Sequence, residues 1–210
     1  KGGPLMNYAS KIAKHLLEGR LICAYECKED YQRLTQNSDI QKHVEITLNN
    51  LDRGLATLES GNAYYTVHLT QDSQAQHDAR RFFSDLISKA RDELDWMDLL
   101  AETTQQEIFV QAGNMITFAD VIHAINYNQS LQQKLRNLLK EKPDVSINTL
   151  VTKLFDRLKK NHIIIEENKR TLEYRFTSKL ELLQQALVFV AMHNKLHLED
   201  EESTVRDGML

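Results

Sequence analysis

The same order of local signals occurs twice in this sequence and limits the folds that the chain can adopt. In each copy an apolar helix leads through Gly54 or Asn161 into two short apolar strands joined by a turn. Gly and Asn are the residues that best tolerate the left-handed conformation at a helix end. The two copies read LDRGLATLESGNAYYTV and LKKNHIIIEENKRTLEYRF. Because a two-stranded hairpin is only marginally stable in water, each hairpin must pack against its own helices.

Helices with regular apolar spacing precede both hairpins. In the first copy Ser38 and Gln41 form a capping-box pattern at a helix start. The apolar residues that follow at steps of three and four are Ile40, Val44, Leu48, Leu51, Leu55 and Leu58. In the second copy the helix starts at Ser146, and its apolar face consists of Ile147, Leu150, Val151, Leu154, Phe155 and Leu158. We predict that this face packs against the strand residues Leu172, Tyr174 and Phe176.

A long acidic helix is predicted between the copies, over residues 72–105. Its apolar stripe consists of Phe82, Phe83, Leu86, Ile87, Ala90, Leu94 and Met97. Each copy has the order helix, short strand, helix, helix, hairpin, which is the order of a winged-helix domain. We therefore predict a mainly α fold with small β-hairpin wings (α+β), with tandem winged-helix domains joined by a long helix.

The predicted divisions follow these elements. They are an N-terminal winged-helix domain at residues 6–70, a linking helical segment at 71–112, a C-terminal winged-helix domain at 113–198 and an acidic, disordered tail at 199–210.

Composition supports helices and excludes several functional classes. The 210 residues include only two prolines and seven glycines, which disfavours a sandwich or barrel with many turns. A net charge of −4 excludes a uniformly basic nucleic-acid coat. The sequence has no apolar run of about 18 residues and no signal-peptide pattern, so we expect a cytoplasmic protein without a transmembrane helix.

The sequence contains no recognisable catalytic motif. Cys23 and Cys27 lack the second pair that a zinc site requires, and we interpret them as reduced side chains packed in the protein. His193 and His197 have a spacing compatible with metal binding on one helix face, but no third ligand lies beside them. We therefore expect no enzymatic activity, no cofactor and no metal.

Basic residues concentrate in the second copy. Between Lys134 and Lys179 there are twelve Lys and Arg residues and six Asp and Glu residues. In a winged helix the recognition helix and the wing contact DNA, where cations neutralise phosphates. The candidate DNA-binding residues on these elements are Lys153, Arg157, Lys159, Lys160, Lys169, Arg170, Arg175 and Lys179. The alternative is a solvated helix face, with Glu166, Glu167 and Glu173 diluting the charge of the wing.

The first copy has a different surface. Its predicted recognition helix is nearly neutral, and its hairpin carries no basic cluster. Tyr64 and Tyr65 lie in the returning strand, and tyrosines are enriched at protein interfaces. We predict a protein interface at these two residues. The alternative is that one packs against the helix of its own copy and the other is simply exposed.

Three segments resemble a known family. They are GRLICAYECKEDYQRL, SGNAYYTVHL and LFDRLKKNHIIIEENKRTLEYRF. Together with the element order they resemble the small tandem winged-helix subunits of bacterial condensins that bind kleisins, the MukE/MksE-like family, over residues 8–196. The resemblance implies a non-enzymatic scaffold, associated with the nucleoid, that dimerises, holds a kleisin and helps an SMC-type ATPase to enclose or move DNA. Some Mks-type relatives act against plasmids, so it implies chromosome organisation or plasmid defence.

A second function remains open from the residues alone. Tandem winged helices also occur in sequence-specific DNA-binding proteins, either transcriptional regulators or plasmid replication initiators. The basic second copy favours this alternative, whereas the neutral recognition helix of the first copy opposes it.

Overall fold

The computed structural model describes the backbone of residues 4–104 and 110–207. Side chains are described within these ranges up to residue 192, except at residues 4, 5 and 90. Two small antiparallel sheets, each packed against helices, lie on either side of a long helix in the chain order.

The first unit packs helices against a three-stranded sheet. Its elements are α1 (Pro4–Leu17), β1 (Ile22–Cys23), α2 (Lys28–Gln36), α3 (Ser38–Asn49), β2 (Arg53–Thr57) and β3 (Ala63–His68). The strand order is β1-β3-β2, and both neighbouring pairs are antiparallel. The core is formed by buried side chains from α1, α2, α3 and β1, among them Ile12, Leu16, Ile22, Leu34 and Leu48.

The start of α3 differs from the sequence prediction by one residue. Asn37, rather than Ser38, caps the helix, because its side-chain oxygen accepts hydrogen bonds from the N–H groups of Asp39 (3.0 Å) and Ile40 (3.1 Å). Ser38 is the first helical residue. Asn and Ser are both good caps, so the sequence pattern alone could not separate these neighbouring positions.

The end of α3 also differs from the prediction. The helix ends at Asn49, and the left-handed residue beyond it is Asp52 (φ 54°). Gly54 therefore lies inside β2 and does not end the helix. Ile40, Val44 and Leu48 are buried as predicted, whereas Leu51 lies beyond the end of the helix. Leu55 belongs to β2, in agreement with the strand predicted after Gly54.

The linking helix α4 (Ser73–Thr103) is capped by Asp72, whose side chain accepts a hydrogen bond from Ala75 N–H (2.8 Å). Its apolar stripe is only partly buried. Leu86 and Met97 are buried, but roughly half of the side-chain surface remains exposed at Phe82, Ile87 and Leu94. Residues of α4 belong to the second core only from Trp96 onward, so the first half of the helix lies outside that core.

The second unit repeats the arrangement with one more helix. Its elements are β4 (Met115–Thr117), α5 (Phe118–Asn126), α6 (Gln129–Leu139), α7 (Ile147–Lys160), β5 (Ile164–Asn168), β6 (Glu173–Phe176) and α8 (Ser178–Asp207). The strand order is β4-β6-β5, again antiparallel. The predicted cap Ser146 accepts a hydrogen bond from Thr149 N–H (3.2 Å). Trp96 and Phe155 are among the largest side chains buried in the core of this unit.

The second hairpin packs against the core of its own unit. Tyr174 and Phe176 are buried there as predicted, and the Tyr174 ring lies edge-on to Phe155 at 4.8 Å between centroids. Leu172 does not belong to this strand face. It precedes β6, has a φ of 51° and is 39% exposed, because it occupies the turn between the strands.

The left-handed residue after α7 is also one position later than predicted. His162 has a φ of 58°, whereas Asn161 has a φ of −87°.

The predicted fold class is confirmed: the chain is mainly helical, with two small antiparallel sheets that each contain a hairpin. The domain limits stay a prediction. The backbone of α8 is helical to Asp207, where the sequence predicted a disordered tail, and residues 208–210 lie outside the described residues. None of the described helices combines the length and the apolarity needed to cross a membrane.

Candidate interaction surfaces

The predicted DNA-binding residues of α7 are mostly paired with acidic side chains. Lys153 forms an ion pair with Glu141. Arg157 Nη2 lies 3.6 Å from Asp92 of α4. Lys159 donates to Asp156 at 2.9 Å, which raises the pKa of Lys159 above its ordinary value. These contacts reduce the positive charge that α7 presents to a phosphate backbone.

Arg175 belongs to the framework of the wing rather than to its surface. Its Nε donates to Glu167 at 2.7 Å, and its Nη1 donates to the carbonyl oxygen of Gly113 at 2.9 Å. The side chain is half-buried. A guanidinium held in this way ties β6 to the segment before β4 and is not available for DNA without breaking both contacts.

Lys179, the last of the predicted cations, is partly buried at the start of α8. Burial lowers the pKa of its ammonium group below the ordinary value, and Glu26 of the first unit acts in the opposite direction. Lys179 lines a cavity of about 180 Å³ between the units, together with Glu26 and His162. Its surroundings are therefore protein rather than open solvent.

Three of the predicted cations remain exposed and have no ion-pair partner among the described residues. These are Lys160, Lys169 and Arg170, which we call the wing cations. The backbone N–H of Arg170 is held by Asn168 Oδ1 (3.0 Å), which fixes the turn and leaves the side chain outside.

The two tyrosines of β3 have different environments. Tyr64 is half-buried against the first core, with its ring 5.8 Å from that of Tyr31 and its hydroxyl 3.4 Å from Thr35 Oγ1. Tyr65 lies on the other face of the strand, where it packs against the small cluster of Cys23, Leu58 and Ala63, as does Leu182 of α8. Tyr65 thus contributes to a contact between the two units of the same chain.

A polar contact between the units was not found from the sequence. Glu181 accepts hydrogen bonds from the N–H (3.1 Å) and the hydroxyl (2.6 Å) of Ser60, in the turn of the first hairpin. The spacing of Ser178 and Glu181 predicts a capping box, whereas Thr177 Oγ1 accepts the N–H of Lys179 at 3.1 Å. The sequence carried no signal for this contact, because an exposed serine hydroxyl in a turn can bond to water instead.

Two further polar contacts join the units. His162 Nδ1 lies 2.6 Å from a Glu26 carboxylate oxygen, and Lys28 lies 3.3 Å from Glu167. A Cβ atom at Gly113 would lie 2.7 Å from the Tyr25 hydroxyl, so the two units approach closely there.

The described residues show no metal-binding cluster of three or more His, Cys, Asp and Glu side chains. Cys23 and Cys27 are both free thiols, and Cys23 is buried. Burial raises the pKa of the Cys27 thiol to about 11. A thiol with such a pKa is protonated at neutral pH and is a poor nucleophile and metal ligand. The side chains of His193 and His197 lie outside the described residues.

The helices α4 and α8 together expose an apolar surface. Phe83 of α4 stacks on Phe189 of α8 at 5.1 Å between ring centroids, which places the two helices side by side. We call the exposed large apolar side chains on these helices the α4–α8 face: Phe82, Ile87, Leu94, Val188, Phe189 and Met192.

Two units, each with a small antiparallel sheet packed against helices, define an α+β protein that exposes hairpins, cations and apolar helix residues. The sequence model of the family described as condensin complex protein MksE matches residues 7–188, and the chain belongs to this family. It is therefore an accessory subunit of a condensin-type complex. A search of curated proteins found no match.

Proposed function

We propose that this chain is a non-enzymatic subunit that dimerises, binds the kleisin of its SMC-type complex and contacts DNA only weakly and without sequence specificity. It works in the cytoplasm, at the nucleoid, in chromosome organisation or plasmid defence. Membership of the MksE family supports a role inside a condensin-type complex. The kleisin and the SMC-type ATPase are the partners that such a role requires.

One observation favours protein over DNA as the first partner. Of the eight cations predicted to bind DNA, three pair with acidic residues on or near α7, and two more are partly buried in the fold. The wing cations are the part of the set that remains to neutralise phosphate, and each phosphate contact contributes to affinity mainly through counterion release. Three exposed cations suit weak, salt-sensitive contact with DNA.

Dimerisation is supported by the α4–α8 face. The first half of α4 carries Phe82 and Ile87, which are about half exposed, beside Phe83, which stacks on α8. A patch of several half-exposed large apolar residues is unusual on a monomer and marks an interaction site. We assign it to a second copy, because two adjacent helices can pair with their own symmetry mates in an isologous helical bundle.

The proposed function is tested by mixing the purified chain with the kleisin subunit of the same complex, in high salt and without DNA. A stable complex is expected. If no complex forms, and the chain instead retains one short DNA operator in high salt, the protein is a sequence-specific regulator or initiator and the proposal is wrong.

The dimer is tested by replacing Ile87 with Glu, because a carboxylate at this position would be buried in the interface without a partner. Sedimentation should show a monomer. Ile46→Glu is the matched control, since Ile46 of α3 is 58% exposed, Ile87 is 53% exposed, and Ile46 lies off the α4–α8 face. A dimer that survives Ile87→Glu, or dissociates equally with Ile46→Glu, contradicts the assignment.

A further inference from the structure

The strand β2 forms an open edge of the first sheet. The order β1-β3-β2 pairs β2 with β3 on one side only. At the two ends of the hairpin, Leu58 N–H donates to Ala63 O (3.0 Å) and Leu69 N–H donates to Asp52 O (3.2 Å). Hydrogen-bonded pairs alternate with non-bonded pairs along antiparallel strands.

This alternation determines which backbone groups of β2 face outward. Gly54 and Ala56, which are opposite Val67 and Tyr65, direct their N–H and C=O groups to β3. The N–H and C=O groups of Leu55 and Thr57 therefore point away from the sheet. Within the described part of the chain no hydrogen bond reaches these four groups.

The corresponding edge in the second unit is protected. There β5 contains a register shift between Glu166 and Asn168 and carries the carboxylates of Glu166 and Glu167. Bulges and charges are the usual means by which proteins prevent edge strands from pairing with other chains. The edge of β2 has regular register along its five residues, and after Arg53 it reads Gly-Leu-Ala-Thr, without a charge, a proline or a bulge.

The sheet face beside this edge is apolar. Gly54 is buried, since a Cβ atom there would lie 2.9 Å from Leu69 Cδ2 and 3.3 Å from Val67 Cγ2, whereas Val67 and Leu69 are themselves exposed. Farther along the same face, Tyr65 and Leu182 of the second unit pack against one cluster that includes Leu58 and Ala63. The free part of the face thus continues a surface that is used for packing elsewhere in the chain.

We propose that the edge of β2 binds an extended segment of the kleisin as an added strand. This inference rests on the proposed function and specifies how the partner is held. The segment supplies main-chain hydrogen bonds to Leu55 and Thr57, and at alternate positions large apolar side chains that cover the exposed Val67 and Leu69. A second copy fits less well, since pairing β2 with its own symmetry mate would place Gly54 opposite Ala56 and bring no large side chain to cover Val67 and Leu69.

Amide hydrogen exchange at single-residue resolution tests the inference without a mutation. In the free chain the outward amides of Leu55 and Thr57 should exchange rapidly, while the inward amides of Gly54 and Ala56 are slow. Adding the purified kleisin subunit should slow Leu55 and Thr57 at least about tenfold, because their N–H groups become hydrogen-bonded in the added strand. Gly54 and Ala56 serve as the internal control.

The matched variants are Thr57→Pro and Glu166→Pro. Proline is tolerated in an edge strand where the N–H faces solvent. Thr177 N–H donates to Ile163 O (2.9 Å), and because bonded and non-bonded positions alternate along β5, the N–H of Glu166 also faces outward. Thr57→Pro should weaken kleisin binding at least about tenfold, or about 1.4 kcal/mol, and Glu166→Pro less than about twofold. Circular dichroism melting verifies that both variants fold.

The outcomes separate the inference from the proposed function. If the wild-type chain does not bind the kleisin, the proposed function fails and the inference fails with it. If it binds while Leu55 and Thr57 remain in fast exchange, the function stands and the added strand is wrong. If the two amides are protected in the chain alone and become exposed on dilution, the edge pairs with a second copy, which also overturns the inference.

Discussion

Replacing Phe176 with Ala tests whether the second hairpin is held by its own helices. Phe176 lies in β6, is fully buried and belongs to the same core as Leu154 and Phe155 of α7. Truncation of a fully buried phenylalanine removes its burial energy and leaves a cavity, which costs about 3–5 kcal/mol. The second unit should lose stability by an amount in this range.

The chain provides its own probe for this unit. Its single tryptophan, Trp96, is 1% exposed and lies in the same core as Phe176. Urea unfolding followed by Trp96 fluorescence therefore reports the second unit. With a slope of about 2 kcal/mol per molar urea, the expected loss corresponds to a midpoint about 2 M lower.

Leu172→Gly is the control for this experiment. Leu172 is partly exposed and holds a left-handed backbone, with a φ of 51°. Glycine relieves strain of about 1 kcal/mol there, so the substitution should be neutral or stabilising. If Phe176→Ala costs less than about 1 kcal/mol, or Leu172→Gly is equally destabilising, the described packing of the wing is wrong.

Three further predictions concern charge and ionisation. With a pKa of about 11 instead of 9.0, the Cys27 thiol should be alkylated at pH 8 about a hundredfold more slowly than an unperturbed, exposed thiol; an ordinary alkylation rate would contradict its burial. The pKa of Glu167 is lowered by hydrogen bonds from Arg175 and then Lys28. The stability that the Glu167 carboxylate contributes to the folded chain is therefore complete above the ordinary pKa of 4.5 and is lost as the pH falls through the lowered value. The wild type should therefore have a higher free energy of unfolding in urea than Glu167→Gln near neutral pH, and this difference should disappear on acidification. A difference independent of pH would refute this prediction. Replacing the wing cations with Glu should weaken binding to a random DNA duplex at low salt and reduce the slope of log binding constant against log salt concentration by about 2–3. The control Lys159→Glu should change DNA binding less. Equal effects would show that ion pairing on α7 does not matter.

Periodicity and turn residues predicted most of the fold. The apolar faces of α3 and α7 follow from steps of three and four residues, and the strands follow from short apolar runs around Gly or Asn. The errors fall at element ends. Asp52 and His162 hold the left-handed positions instead of Gly54 and Asn161, because tertiary packing of the hairpins can place a short or polar side chain there at modest cost.

The surfaces were less predictable than the fold. Cations could be located in the sequence, but whether a charge is free depends on acids that lie far away in the chain. Arg157 pairs with Asp92, and Lys179 is influenced by Glu26. The outward direction of the Leu55 and Thr57 backbone groups depends on the register with β3. These features arise only when the chain folds.

Light scattering of the chain mixed with its kleisin, at about 0.5 M salt where phosphate contacts are weak, tests the proposed role most directly. The expected result is one species whose mass contains two copies of this chain together with the kleisin, formed without DNA. Separate elution of the two proteins, with the chain binding only to DNA, would contradict a subunit that binds protein first.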